Sequence, residues 1–128
     1  MKSYHACVWI DHQEAKIFGI RADDAEKTIL SDQRPPHHIH RKANHLDLGT
    51  APMDRAFLAE VAAGLKRAKA ILIAGPGRAR TELAGYLQEE HPAIARRVWG
   101  VQAMDHPTDG ELTAAARKYF NAADRMHQ

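Results

Sequence analysis

The chain has 128 residues, 45% of them hydrophobic and 27% charged, an ordinary globular composition at a length able to bury one real core. Eighteen Lys+Arg against sixteen Asp+Glu leave a formal charge of +2, which excludes a polybasic nucleic-acid tail and an acidic disordered chain while permitting a local basic face. The single Cys7 excludes an intrachain disulfide and fits a reducing compartment.

The longest apolar runs, Ala6 to Ile10 and Ala70 to Ala74, fall far short of the ~18 residues of a membrane span. Asp11 and His12 interrupt the first run too early for a secretory leader. The expectation is a soluble cytoplasmic protein, one domain over residues 1–128, with no membrane partner.

Tyr4 to Ile10 mixes Tyr, Cys, Val, Trp and Ile without a helical period and reads as a buried strand. After the polar break Asp11-His12-Gln13-Glu14, Ala15 to Ile20 reads as its antiparallel hairpin partner. A second break, Arg21-Ala22-Asp23-Asp24, precedes a weaker third strand around Lys27 to Leu30. From Ser31 to about Ala51 neither period is present, and Pro, His, Asp, Asn and Gly dominate. A structureless connection beyond the usual ~12–15 residues is either functional or disordered.

Helical periodicity starts near Pro52, which suits a first turn, and Phe57, Leu58, Val61, Ala62 and Leu65 form its core stripe. Lys66, Arg67 and Lys69 lie in or just after the last turn, where cations complement the helix dipole. Ala70 to Ala74 is a short strand apolar on both faces, as in the middle of a covered sheet. Gly75-Pro76-Gly77 turns the chain into a helix carrying Leu83, Tyr86 and Leu87, which Pro92 stops. Arg97 to Met104 reads as a fifth strand with Trp99, Val101 and Ala103 in alternation. Thr108 and Glu111 have capping-box spacing for a last helix, with Leu112, Ala115, Ala116, Tyr119, Phe120 and Ala123 inward.

The order βββαβαβα predicts an α/β fold with a mixed five-stranded sheet between helices on both faces. Right-handed crossovers give the strand order 3-2-1-4-5, a three-layer ribonuclease H-like architecture.

The run Ala70-Ile71-Leu72-Ile73-Ala74-Gly75-Pro76-Gly77-Arg78-Ala79-Arg80-Thr81-Glu82-Leu83, followed by Tyr86-Leu87, resembles the strand, glycine turn and helix of the middle domain of archaeal and eukaryotic class 1 release factors and Pelota. The element order extends the likeness along the chain. It is also similar to the bacterial relatives termed translational machinery components. The resemblance implies this fold and a ribosome or structured-RNA context. In the release factors the loop after the meander carries Gly-Gly-Gln, which promotes peptidyl-tRNA hydrolysis. Here it reads Arg34-Pro35-Pro36-His37-His38-Ile39-His40-Arg41-Lys42-Ala43-Asn44-His45, without Gly-Gly-Gln, so termination activity does not carry over.

Four of the nine histidines, His37, His38, His40 and His45, fall within nine positions. Neutral imidazoles ligate divalent transition metals, and His38-x-His40 in extended chain points two rings to one side. The spacing fits no standard zinc pattern, so an RNA- or partner-contacting loop with Arg34, Arg41 and Lys42, or a loop without a specific ligand, stands beside the metal reading. Protonation of these imidazoles near pH 5–6 would add to the loop's positive charge.

The turn residues Gly75 and Gly77, with Arg78 and Arg80, form a candidate anion site at a helix N-terminus, though Pro76 removes one donor and the pattern is neither a P-loop nor a dinucleotide fingerprint. A purely structural turn is the plainer alternative. Asp11 and Asp105 end strands one and five, but strand four between them supplies no carboxylate, so a two-metal nuclease centre is incomplete. Lys66, Arg67 and Lys69 lie a strand's length, roughly 17 Å, from Arg78 and Arg80.

The leading expectation is a non-catalytic, bacterial-type ribosome- or RNA-associated accessory protein. A metal-binding protein or metal-dependent enzyme using the histidine loop is the second. A homodimeric or adaptor domain without nucleic acid is the third.

Overall fold

A computed structural model describes residues 4–21, 25–31 and 53–126. Strands β1 (Tyr4–Ile10), β2 (Glu14–Ile20), β3 (Ala25–Ser31), β4 (Ala68–Gly75) and β5 (Val98–Ala103) form one mixed sheet in the order β3-β2-β1-β4-β5. The first three strands pair antiparallel as a meander, and β4 and β5 join β1 in parallel. This is the order that right-handed crossovers predict.

The helices are α1 (Arg55–Leu65), α2 (Ala79–Glu90), the single turn α3 (Pro92–Ala95) and α4 (Asp109–Met126). The sheet alternation divides the core in two. On one face Ala6, Val8, Ile10, Ile17, Ile71 and Ile73 pack against Phe57, Val61 and Leu65 of α1 and Leu83 and Leu87 of α2. On the other, Cys7, Trp9, Phe18, Ile20, Ala70, Leu72 and Ala74 pack against Leu112, Ala116 and Phe120 of α4. Strands β1 and β4 are covered on both sides, which is why Ala6 to Ile10 and Ala70 to Ala74 read as unbroken apolar runs. Strand β3 is an edge strand, exposed except for half-buried Leu30, and this explains its weak signal in the sequence.

Three local features show how the elements end. Asp54 is the N-cap of α1, its carboxylate accepting the Phe57 N–H at 3.3 Å, while Pro52 lies outside the described residues. Pro92 both follows the end of α2 and opens α3, where its missing N–H costs nothing. The Thr108 hydroxyl accepts the Glu111 N–H at 3.1 Å while the Glu111 carboxylate accepts the Thr108 N–H at 2.9 Å, so the capping box forms as its spacing predicts.

The alternation expected in β5 is broken by a bulge. Val98 sits opposite Ile71, but Gly100 sits opposite Leu72, leaving Trp99 as the extra residue. Trp99 stays on the α4 side, edge-on to His5 and Phe120 at centroid distances of 5.8 and 6.0 Å. Val101, now opposite Ile73, falls on the other face, 42% exposed. A one-residue insertion flips every later side chain, and nothing in the local sequence marks it except Gly100. An added Cβ there would meet the Tyr119 hydroxyl.

Candidate functional site at the carboxyl edge of the sheet

Because β1, β4 and β5 are parallel, their carboxyl ends meet at one edge of the sheet. β2 begins there, and β3 ends there with Ser31 opposite Glu14. In open α/β sheets this is the edge where ligands gather.

Asp11 builds the β1–β2 turn. Its Oδ1 accepts the N–H groups of Gln13 and Glu14 at 2.8 and 2.9 Å, and its own N–H donates to the Glu14 carbonyl. Next to it, Gly75 runs so close to the end of β1 that an added Cβ would lie 2.2 Å from the Ile10 carbonyl oxygen; its φ is +146°. Gly77 takes φ +60°, the left-handed conformation glycine adopts without a Cβ clash. Arg80 reaches back over this turn, its Nη1 donating to the carbonyls of Gly75 and Gly77 at 3.1 and 2.6 Å. The guanidinium of Arg80 is thus a clasp within the turn, while Arg78 stands exposed at the cap position of α2.

Glu82, one turn into α2, was not singled out by the sequence, and it secures the return of the long loop. Its Oε1 accepts the Met53 N–H at 3.0 Å, and Oε2 lies 4.0 Å from His12 Nε2. The chain therefore leaves this edge at Ser31 and re-enters it at Met53, with the glycine turn close to the re-entry point. Arg34, Arg41, Lys42 and the histidines His37, His38, His40 and His45 fall in the connection between them, outside the described residues. Among the described residues no group of three His, Cys, Asp or Glu side chains is placed to hold a metal.

On the α4 side of the edge, Asp105 contributes its backbone: its carbonyl accepts the Trp9 indole N–H at 3.1 Å. The Asp105 side chain is 91% exposed and lies 3.1 Å from His106 Nδ1, so it does not converge with Asp11, whose carboxylate is engaged in its own turn. The Trp9 ring lies between His106, at a centroid distance of 5.1 Å, and Lys16 Nζ at 5.4 Å. Lys16 and Lys27, on neighbouring strands, both pair with Asp109 at the start of α4. Strand alternation places Lys16 and Lys27 on the α4 face, but only the fold brings them to Asp109.

The hydrogen bond from Lys27, reinforced by the charges of both lysines, holds the Asp109 carboxyl below the usual aspartate range. Its ionised form is thus favoured by folding. This contribution is complete above the ordinary aspartate value of about 3.9 and fades as pH falls through the lower folded-state value. Asp109→Asn should flatten the acid limb of the stability curve between about pH 5 and pH 2, with a difference from the parent that shrinks in high salt. Parallel acid limbs for the two proteins would contradict the pairing. Cys7, by contrast, is fully buried and its thiol is pushed up to about 12 by burial, which makes it an unreactive core residue at neutral pH.

No protein-family model and no curated protein matches the chain. Solved structures do. Pelota from Archaeoglobus fulgidus is similar over 92% of this chain and 32% of its own length, with a TM-score of 0.64 at 18% identity. The archaeal translation termination factor aRF1 is similar over 96% of this chain and 39% of its own, with a TM-score of 0.58 at 16% identity. Pelota in a model of ribosome-bound archaeal Pelota and ABCE1 is similar over 95% of this chain and 33% of its own, with a TM-score of 0.56 at 15% identity. The chain spans about a third of the length of these proteins. The sheet of order 3-2-1-4-5 with helices on both faces is thus a release-factor- and Pelota-like fold, as the run from Ala70 to Leu87 led us to expect. Among the described residues no helix is long and apolar enough to cross a membrane.

Proposed function

We propose that this chain is a non-catalytic accessory factor that associates with the ribosome or with structured RNA, related to the translation factors whose fold it shares. The observation that carries the reading is the fold: it is common to aRF1 and to a Pelota that is itself ribosome-bound. The long loop between β3 and α1 is the contact element in this reading. The described chain leaves the carboxyl edge at Ser31 and re-enters it at Met53, and the sequence between them holds Arg34, Arg41, Lys42 and the histidines in the connection that in the release factors carries Gly-Gly-Gln. Without that tripeptide the loop binds rather than hydrolyses.

Lys and Arg side chains that neutralise phosphates release counterions, so binding weakens with salt in proportion to the contacts made. Arg34→Gln, Arg41→Gln and Lys42→Gln combined should lower the slope of log K against log salt by about 2–3, at roughly 0.7–0.9 per contact. The stability of the fold should be unchanged. An unchanged slope would take the loop out of the contact.

A further inference from the structure

The opposite edge of the sheet, where β1, β4 and β5 begin, is organised around one arginine. α1 ends at Leu65 and the chain passes through Lys66-Arg67 into β4, while α3 passes through Arg96-Arg97 into β5. Arg97 joins these two connections. Its Nη1 donates to the carbonyls of Lys66 and Ala68, both at 3.1 Å, and its Nε donates to the Ala93 carbonyl at 3.3 Å. Its own carbonyl accepts the Ile71 N–H at 2.9 Å. One guanidinium thereby fixes the 66–69 segment beside the 93–97 segment and gathers Lys66, Arg67, Lys69 and Arg96 on a single rim.

All four of these side chains are exposed. Among the described residues none of them has a carboxylate partner, because the acids at this end are engaged elsewhere. Glu89 and Glu90, at the end of α2, lie 4.0 and 2.9 Å from Arg55, and Glu26 lies 3.9 Å from Arg21. At the described carboxyl edge the acids are paired locally: Glu82 lies 4.0 Å from His12, Asp105 lies 3.1 Å from His106, and Asp109 takes both Lys16 and Lys27. The amino edge thus presents four exposed cations that no described carboxylate offsets.

We propose that this rim, Lys66, Arg67, Lys69 and Arg96 braced by Arg97, is a docking surface for an RNA phosphate backbone. It rests on the RNA-associated reading above but on residues that reading does not use. Protein interfaces are built on an apolar or aromatic centre from which charges are depleted. The exposed residues that adjoin these cations along the described chain, Ala63, Gly64, Pro92 and Ala93, are small or aliphatic and provide no such anchor. Phosphate contacts need only positioned Lys and Arg, and a backbone already fixed by four hydrogen bonds positions them without further ordering of the chain.

The test is RNA binding by the full chain to a short RNA duplex, across 50 to 200 mM salt, for the parent and for the quadruple variant Lys66→Gln, Arg67→Gln, Lys69→Gln, Arg96→Gln. Arg97 is left in place, so the variant keeps its thermal unfolding midpoint. Four lost contacts at about 0.9 each should lower the slope by 3–4, removing about a hundredfold of the parent's salt-dependent loss over this range. A parent that binds with a slope unchanged in the variant would overturn the rim while leaving the RNA reading standing. A parent that binds no RNA would overturn both. Polyglutamate serves as the acidic-protein probe, and a variant that loses polyglutamate binding but keeps RNA binding would reassign the rim to an acidic protein partner and overturn the proposal.

Discussion

Gly75→Ala should cost more than about 4 kcal/mol, the size reserved for substitutions with a specific structural cause, and should leave little folded protein. Three conditions coincide at this residue. Its φ of +146° is one that side chains rarely adopt, the obstacle to a Cβ is the Ile10 carbonyl at 2.2 Å, and the Ile10 N and C atoms stand 3.2 Å away. These are backbone atoms of the adjacent central strand, so they cannot swing aside.

Two other glycines serve as internal controls. Gly77 has φ +60° with nothing within 4 Å of an added Cβ, so Gly77→Ala should cost only about 1–2 kcal/mol of left-handed strain. Gly100→Ala would meet the Tyr119 hydroxyl, the far end of a half-buried side chain that is able to rotate. Denaturant unfolding should therefore rank Gly75→Ala well above both. Equal costs at positions 75 and 77 would contradict the close approach of β1 and β4.

Phe120→Ala should cost about 3–5 kcal/mol, the usual range for truncating a buried phenylalanine. The ring is 3% exposed and packs against His5, Trp99 and Tyr119 at centroid distances of 4.6, 6.0 and 5.4 Å. Among the described helices α4 alone covers its face of the sheet, so no second helix is available to close the cavity. A loss of roughly 10 °C or more in Tm is expected for a chain of this size. Ile29→Ala, at a position 50% exposed on edge strand β3, should stay within about 0.5 kcal/mol. A Phe120→Ala protein as stable as the parent would mean that α4 is held by something other than this aromatic cluster.

The fold was legible where burial on both faces wrote the residues. From Ala6 to Ile10 in β1 and from Ala70 to Gly75 in β4 there is no polar position to confuse the reading, and α1 and α4 show unbroken apolar stripes at helical spacing. Turn chemistry was legible where it is local, as with Asp11 in its hairpin and the reciprocal cap of Thr108 and Glu111.

What could not be read depends on contacts distant in sequence. The bulge at Trp99 is defined by the register of β5 against β4, so alternation alone set Val101 on the wrong face. Glu82 looks like an ordinary first-turn acid until Met53, twenty-nine positions earlier in the chain, arrives at its carboxylate. Arg97 reads as the first residue of a strand, yet its side chain is the clasp that joins α1, β4 and α3. Arg80, a candidate for anion binding in the sequence, directs Nη1 to the carbonyls of the glycine turn. A side chain's direction there follows from the turn's geometry, which the pattern of residues does not encode.

Association with the ribosome is measured by co-sedimentation of the untagged protein with ribosomes from a cell lysate at low and high salt. The protein should enter the ribosomal pellet at low salt and be released as salt rises, since Lys and Arg contacts to phosphate weaken with salt. Protein that stays in the supernatant at every salt concentration would contradict it.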